Sequence, residues 1–416
     1  MDKTIYRGRT SGSVTAPPSK SYAQRAIAAA LLCRGETVLS NMVYCNDTRA
    51  ALQVARDLGA EVVCTEDICT IRGGLRPSGR ELNIGESGLA TRLFTPITAL
   101  CREEIVLTGE GSILGRPISM MEAPLRELGA EVSSNGGYLP IRVKGPVRGG
   151  HVTVDGSLSS QFITGLLMAL PLAERDTTMN VSDLKSKPYI DMTIGLLEAF
   201  GIEIKHNDYR QFFIEGGQSY TPIRYNIEGD WSGASCLLVA GATTGEATVR
   251  NLNPLSLQAD TAIIDALTHA GAEITTTRDS VTVRRNELRA FEFDATHCPD
   301  LFPALAALAA NCHGTSVLKG TRRLIHKESD RARTIADVFS RMGIATDLST
   351  ENVMRITGGP IRSATVDSHN DHRIAMAAAT AALGSDGKVV VRRAEAVNKS
   401  YPEFWDDLRS LTTEKR

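Results

Sequence analysis

The residues of this sequence best suited to chemistry are cations at the starts of apolar helices, with two carboxylates among them. Pro17-Pro18-Ser19-Lys20-Ser21-Tyr22-Ala23-Gln24-Arg25 leads a proline-stiffened loop into an Ala-rich helix. The prolines end any earlier helix and hold the backbone extended. Ser19 or Ser21 can cap the orphan N–H groups that follow. The positive end of the helix then adds to Lys20 and Arg25 in favouring a phosphate or carboxylate. A solvated surface helix would carry the same residues, so this stretch alone leaves both readings open.

Five further helix entrances are polar: Glu86 to Arg92, Ser157 to Gln161, Asp230 to Gly233, His297 to Asp300 and Asn370 to Arg373. N-capping accounts for a Ser or Asp at each. It does not account for Arg25, Arg92 and Arg373 in opening turns, where a cation opposes the dipole unless an anion intervenes. Arg116 sits in the Gly-rich loop Gly109 to Arg116, Lys327 and Arg331 in the charged run His326 to Arg331, and Lys399 just before the last helix. Such a set suits ligands with several phosphate and carboxylate groups, since Arg holds planar anions bidentately and Lys supplies point charge. Asp300 and Glu328, set among these cations, are candidates for acid and base. Each has a plainer alternative, a helix cap for Asp300 and an i,i+3 ion pair with Arg331 for Glu328.

These entrances belong to a repeat. Gly59, Gly129, Gly201, Gly271 and Gly343 each follow a helix pattern, at intervals of 70, 72, 70 and 72 residues, and each precedes strand-like sequence. Short β-type runs beginning near residues 36, 104, 177, 247, 315 and 388 keep the same beat. One unit of about 70 residues therefore reads as helix, strand, helix and a strand pair, and there are six. The sixth is cut short after Pro402 to Leu408, while the strand-like Thr4 to Arg9 has no unit of its own. The expected layout is a continuous domain, 12–228, and a discontinuous one, 1–11 plus 229–416, in which the N-terminal strand completes the last repeat. Two linkers would then meet at one hinge, a place for closure on ligand.

Size and composition agree. A chain of 416 residues exceeds one ordinary core. With 46 Lys+Arg against 48 Asp+Glu it lacks the basic excess of a nucleic-acid binder. The most apolar run, Phe162 to Ala173, is too short for a membrane span, and no leader is visible at the N-terminus. Eight cysteines without Cys-x-x-Cys or zinc spacing point to reduced thiols in a cytoplasmic protein.

Taken in order, Pro18-Ser19-Lys20-Ser21 with Arg25, Gly115-Arg116-Pro117, Gly156 to Gln161, Ser186 to Asp191, Lys327 to Arg331, Asp371-His372-Arg373 with Met376, and Lys399 to Pro402 resemble the 5-enolpyruvylshikimate-3-phosphate synthase family nearly end to end. The resemblance implies a two-domain inside-out α/β barrel, each domain three βαβαββ repeats with helices inside and sheets outside, closing around phosphoenolpyruvate and shikimate-3-phosphate. By this likeness Lys20, Ser21, Arg25, Ser159, Ser160, Gln161, Ser186, Asp300 and Lys327 would hold shikimate-3-phosphate. Lys20, Gly88, Arg116, Gln161, Arg331, Arg373 and Lys399 would hold phosphoenolpyruvate. Glu328 would protonate the methylene carbon, Asp300 would accept the proton of the attacking 5-hydroxyl, and Lys20 would steady the shifting charge. No metal or organic cofactor, nucleic acid or membrane is implied, and the chain is expected to act as a monomer.

The sequence departs from the family pattern at Glu86 and Leu89, where Asn and Thr are common, at Pro18, where Gly is frequent, and at Arg323, near a position where some members carry Asn. The first two bear on phosphoenolpyruvate affinity and glyphosate sensitivity. A UDP-N-acetylglucosamine enolpyruvyl transferase is similar in fold, but that family's reactive Cys is missing from Gly111 to Arg116 and Lys20-Ser21 replaces its Lys-Asn. A non-catalytic scaffold would not need Asp300 and Glu328. A P-loop kinase would need a glycine where Ser19 stands.

Overall fold

The computed structural model describes residues 1–157 and 159–414. The chain divides into two compact units, one of Lys20–Ile227 and one of Met1–Ser19 with Glu228–Arg416. Among the described residues there are twelve α-helices: α1 (Lys20–Leu32), α2 (Asn46–Asp57), α3 (Gly88–Thr98), α4 (Glu122–Glu127), α5 (Ser160–Ala169), α6 (Lys187–Ala199), α7 (Trp231–Thr244), α8 (Ile263–Ala270), α9 (Phe302–Ala310), α10 (Arg331–Arg341), α11 (His372–Ala382) and α12 (Phe404–Leu411).

The helices alternate in character. Every residue of α3, α7, α9 and α11 is buried, as a helix apolar all round requires. Their Ala and Gly content lets backbones approach: a Cβ on Gly165 of α5 would collide with the Arg92 carbonyl of α3. The helices α1 and α5 are nearly as buried, whereas the even-numbered helices are only partly buried, as with Ala51, Leu52, Val54 and Ala55 in α2 or Phe404, Trp405, Leu408 and Leu411 in α12.

The sheets repeat one pattern. In the unit Lys20–Ile227, Glu81–Asn83 runs parallel to Glu104–Thr108, which is antiparallel to Tyr138–Lys144, itself antiparallel to Glu131–Asn135. The same order links Gly150–Asp155, Thr177–Ser182, Gln211–Ile214 and Ile204–Asn207. It also links Arg224–Asn226, Glu36–Ser40, Ile68–Arg72 and Glu61–Thr65. Alternation buries one face only; along Tyr138–Lys144, Leu139, Ile141 and Val143 are buried while Tyr138, Pro140 and Arg142 are exposed.

In the other unit two sheets have this order, built on Glu246–Arg250 and Thr315–Lys319. The third has three strands: Ala364–Asp367 parallel to Val389–Arg392, with Lys3–Ile5 antiparallel beside it, Lys3 facing Val391. The five repeat glycines follow α2, α4, α6, α8 and α10 at φ of 105°, 100°, 79°, 91° and 81°, the left-handed conformation in which a Cβ is strained.

Several sequence expectations are corrected. The first crossing between units lies at Ser19–Lys20, not after residue 11. The reason is pairing: Ser13–Thr15 runs parallel to Thr248–Arg250, and the Ser19 N–H donates to the Glu228 carbonyl. The chain after α12 has room for one more strand, Thr412–Glu414, antiparallel to Gly8–Thr10. Not all cysteines are thiols. Cys64 and Cys69 face each other across the hairpin of Glu61–Thr65 and Ile68–Arg72 and form a disulfide, while Cys33, Cys45, Cys101, Cys236, Cys298 and Cys312 are free and buried. Leu158, within one of the helix entrances, lies outside the described residues. Among the described residues no helix is long and apolar enough to cross a membrane.

At Gly129 an added Cβ would meet nothing closer than 3.7 Å, so substitution isolates the backbone cost. Gly129→Ala is expected to lower stability by about 1–2 kcal/mol, and Gly129→Asn by less. Urea unfolding checks this; an unchanged midpoint for the Ala variant would show that the chain relaxes out of the left-handed turn.

Candidate active site

In the unit Lys20–Ile227, α1 packs on α3 and α3 on α5, and the sequence-predicted residues gather at their first turns and in the loops beside them. The Lys20 ammonium lies 3.1 Å from the carboxylate of Asp47, in the first turn of α2. Arg25 is 1% exposed. Its Nε donates to the Thr193 hydroxyl at 3.0 Å, Nη1 to the Ser21 carbonyl at 3.0 Å and Nη2 to the Tyr189 carbonyl at 3.3 Å. Burial lowers this guanidinium to about 10, so it remains cationic at neutral pH. Ser87 caps α3, accepting from the Ala90 N–H at 3.2 Å, and its hydroxyl donates to Gln24.

Gly88 lies against Arg116: a Cβ there would come 2.7 Å from the guanidinium carbon. Ser159 caps α5 by accepting from the Gln161 N–H at 3.3 Å, and Ser160 is buried behind it. Ser186 precedes α6 in the left-handed conformation, φ 57° and ψ 45°, a costly one for a residue with a Cβ and the kind of strain that concentrates at functional sites. Beyond it the Lys187 ammonium lies over the ring of Tyr209, whose hydroxyl donates to Asp191 at 2.7 Å. Burial, and then Asp191, raise that phenol to about 12.

In the other unit Arg331, at the first position of α10 and 1% exposed, holds three carboxylates. Its Nε donates to Asp371 at 2.8 Å, Nη1 to Asp300 at 2.8 Å and Nη2 to Glu328 at 2.5 Å. Asp300 is also met by Lys327 at 3.2 Å and by Arg373 at 3.3 Å. It is therefore no helix cap; α9 begins after Leu301, which makes no side-chain cap. The i,i+3 pair of Glu328 with Arg331 does form. Lys399 donates to the Asn370 carbonyl at 2.8 Å. Burial lowers the Lys327 ammonium, with Asp300 opposing. For Arg331 the three carboxylates outweigh burial, the largest single influence, and hold it far above the usual range.

The predicted residues thus divide between the units: Lys20, Ser21, Arg25, Gly88, Arg116, Ser159, Ser160, Gln161 and Ser186 in one, Asp300, Lys327, Glu328, Arg331, Arg373 and Lys399 in the other. Of these, Asp300, Lys327, Glu328, Arg331 and Arg373 are directly linked, Gly88 lies against Arg116 and Arg25 bonds to Ser21. Arg92, read as a cation awaiting an anion, donates instead to the carbonyls of Gly88 and Pro117, both at 3.1 Å.

Sequence reasoning missed the partners. Asp47 and Thr193 carry no motif signal. Asp371 does carry one, as an Asp before an apolar helix: it caps α11, accepting from the Arg373 N–H at 3.0 Å while it holds Arg331. Asp260, 4% exposed, is raised to about 7, chiefly by burial, then by the charge of Asp300, with Arg373 opposing and Asp230 adding. Among the described residues no group of three or more His, Cys, Asp or Glu is placed to hold a metal ion.

The repeated helix-and-sheet units, with buried cations at helix starts and carboxylates clustered on Arg331, mark the fold class of the enolpyruvyl transferases. Known structures agree. The EPSP synthase of Acinetobacter baumannii superposes with a TM-score of 0.84 at 26% identity, covering 99% of this chain and 98% of that one. The enolpyruvyl transferase NikO from Streptomyces tendae shares the fold, with a TM-score of 0.79 at 17% identity, covering 99% and 97%.

The family model described as EPSP synthase (3-phosphoshikimate 1-carboxyvinyltransferase) matches residues 6–408, and the chain belongs to that family. Relatives named 3-phosphoshikimate 1-carboxyvinyltransferase include one from Thermococcus kodakarensis, 42% identical over 96% of this chain and 97% of its own. Another, from Clostridium novyi, is 36% identical over 98% and 96%.

Two outcomes follow for stability. Asp371→Ala removes a cap and leaves Arg331 one carboxylate short, and is expected to cost about 3–5 kcal/mol in urea unfolding. Asp260 titrates near 7 when folded and near 3.8 when unfolded, so its protonation stabilises the fold fully at low pH, and that contribution is lost as pH rises from about 4 to about 7. Relative to Asp260→Asn, the wild type should lose stability on the order of a few kcal/mol across that window. Parallel pH profiles for the two proteins would refute the Asp260 assignment.

Proposed function

We propose that both residue groups serve one reaction, with Asp300 and Glu328 as its acid–base pair. The reaction is transfer of the enolpyruvyl group of phosphoenolpyruvate to the 5-hydroxyl of shikimate-3-phosphate, with release of phosphate, in the shikimate pathway of aromatic amino-acid biosynthesis. The observation that carries the assignment is that one guanidinium, Arg331, orients both carboxylates, at 2.8 and 2.5 Å. A shared rigid donor fixes the placement of the two carboxylates relative to each other.

In the addition step the 5-hydroxyl oxygen bonds to C2 of phosphoenolpyruvate, Asp300 takes the hydroxyl proton and Glu328 delivers one to C3. In the elimination step C3 returns a proton to the Glu328 carboxylate, the C2–O bond to phosphate breaks with phosphate keeping the electron pair, and the vinyl ether forms. Lys20, Gly88, Arg116, Gln161, Arg331, Arg373 and Lys399 bind phosphoenolpyruvate. Lys20, Ser21, Arg25, Ser159, Ser160, Gln161, Ser186, Asp300 and Lys327 bind shikimate-3-phosphate. Fixed cations stabilise the charge that moves from carboxylate to phosphate without reorganising.

Each unit forms an inside-out α/β barrel of three repeats; the fully buried α3, α7, α9 and α11 and the one-sided burial of the sheets support this. The protein works as a cytoplasmic monomer, a setting that the six free thiols favour.

Asp300→Asn and Glu328→Gln should each bind shikimate-3-phosphate in calorimetry yet lose about 10²- to 10⁴-fold in kcat, followed as phosphate release. Near-normal turnover in both would sink the assignment. Release with UDP-N-acetylglucosamine in place of shikimate-3-phosphate would transfer the protein to the related sugar-nucleotide reaction.

A further inference from the structure

The loop between Thr108 and Ile118 carries Arg116 and is tied to the start of α3 at both ends. At its beginning the Glu110 N–H donates to the Gly85 carbonyl at 3.0 Å. At its end Arg92 Nη2 donates to the Pro117 carbonyl at 3.1 Å. Between these anchors the chain makes a short 3₁₀ turn, Gly111–Gly115, which backbone bonding alone would leave loosely held. The Glu86 carboxylate, from the residue before the Ser87 cap, reaches across and accepts from the Ser112 N–H at 2.9 Å. It lies so close to Gly111 that a Cβ there would collide with it, and Gly111 is itself left-handed, φ 58°. Only glycine lets the turn sit down on this carboxylate. Four residues after Ser112, Arg116, 7% exposed, places its guanidinium over Gly88.

We propose that Glu86 is a positioning residue for Arg116: by accepting from the Ser112 N–H it docks the 111–115 turn on the start of α3 and so fixes the guanidinium over Gly88 for the anionic end of phosphoenolpyruvate. A charged acceptor makes a stronger bond to a backbone N–H than a neutral one, so the Glu at this position trades a negative charge near the anion for a firmer loop. The inference rests on the reading that Arg116 binds phosphoenolpyruvate.

Two measurements test it. Amide hydrogen exchange of the substrate-free protein should quicken at residues 110–116 in Glu86→Ala and stay close to wild type in Glu86→Gln, which keeps an acceptor oxygen. In steady-state kinetics Glu86→Ala should raise KM for phosphoenolpyruvate about tenfold while KM for shikimate-3-phosphate stays within twofold, with Glu86→Gln restoring most of the loss. In an Arg116→Ala background Glu86→Ala should add less than twofold, since a residue acting through Arg116 has nothing left to position. Unchanged exchange in Glu86→Ala, or a full tenfold effect in the Arg116→Ala background, would overturn the proposal. A wild type that releases no phosphate would overturn the phosphoenolpyruvate role, and with quickened loop exchange in Glu86→Ala the anchor itself would stand.

Discussion

The constraint on which the unit Met1–Ser19 with Glu228–Arg416 most depends is the charge balance around Arg331. Three carboxylates, Asp300, Glu328 and Asp371, accept from this one buried guanidinium, and Lys327 and Arg373 also meet Asp300. Three negative and three positive groups thus cancel formally. Removing charges from water costs several kcal/mol per ion unless each finds partners. The network therefore stands or falls as a set. Its carboxylates differ in exposure: Asp371, fully buried, spends its oxygens on the cap of α11 and on Arg331, whereas Asp300 and Glu328 stay partly exposed.

The same logic runs through the other unit in a weaker form. Lys20 has Asp47, and Arg25 has carbonyls and a hydroxyl from α1 and α6. Cations in the first turn of a helix oppose its dipole. Here each is held by protein groups, so its position is set before any anion arrives.

Much of the architecture follows from a backbone rule repeated five times. A helix that must end and hand its chain to an antiparallel hairpin in the same sheet needs a residue at positive φ, and glycine supplies it. The two crossings show how the repeat is shared out. Ser13–Thr15 precedes α1 yet pairs with Thr248–Arg250, and Arg224–Asn226 precedes α7 yet pairs with Val38–Ser40. Each crossing segment stays as the parallel edge strand of the unit it is about to leave.

The sequence by itself determined the repeat, because helix-ending glycines and apolar periods are local and survive without knowledge of the fold. It also singled out Lys20, Arg116, Asp300, Glu328, Arg331 and Arg373, since ordered motifs carry them. What only the tertiary structure decided were the partners and the boundaries. Asp47, Thr193 and Asp260 meet the site through packing between helices far apart in sequence, and a side chain's partner across such a gap leaves no spacing signal. The first crossing moved from residue 11 to Ser19 because strand pairing over more than 200 residues outweighs the local punctuation of Gly12. Cys64 and Cys69 face each other because of hairpin register, which their spacing alone does not specify. Arg92 and Arg116 were alike as cations near α3; only packing made one a backbone tie and set the other over Gly88.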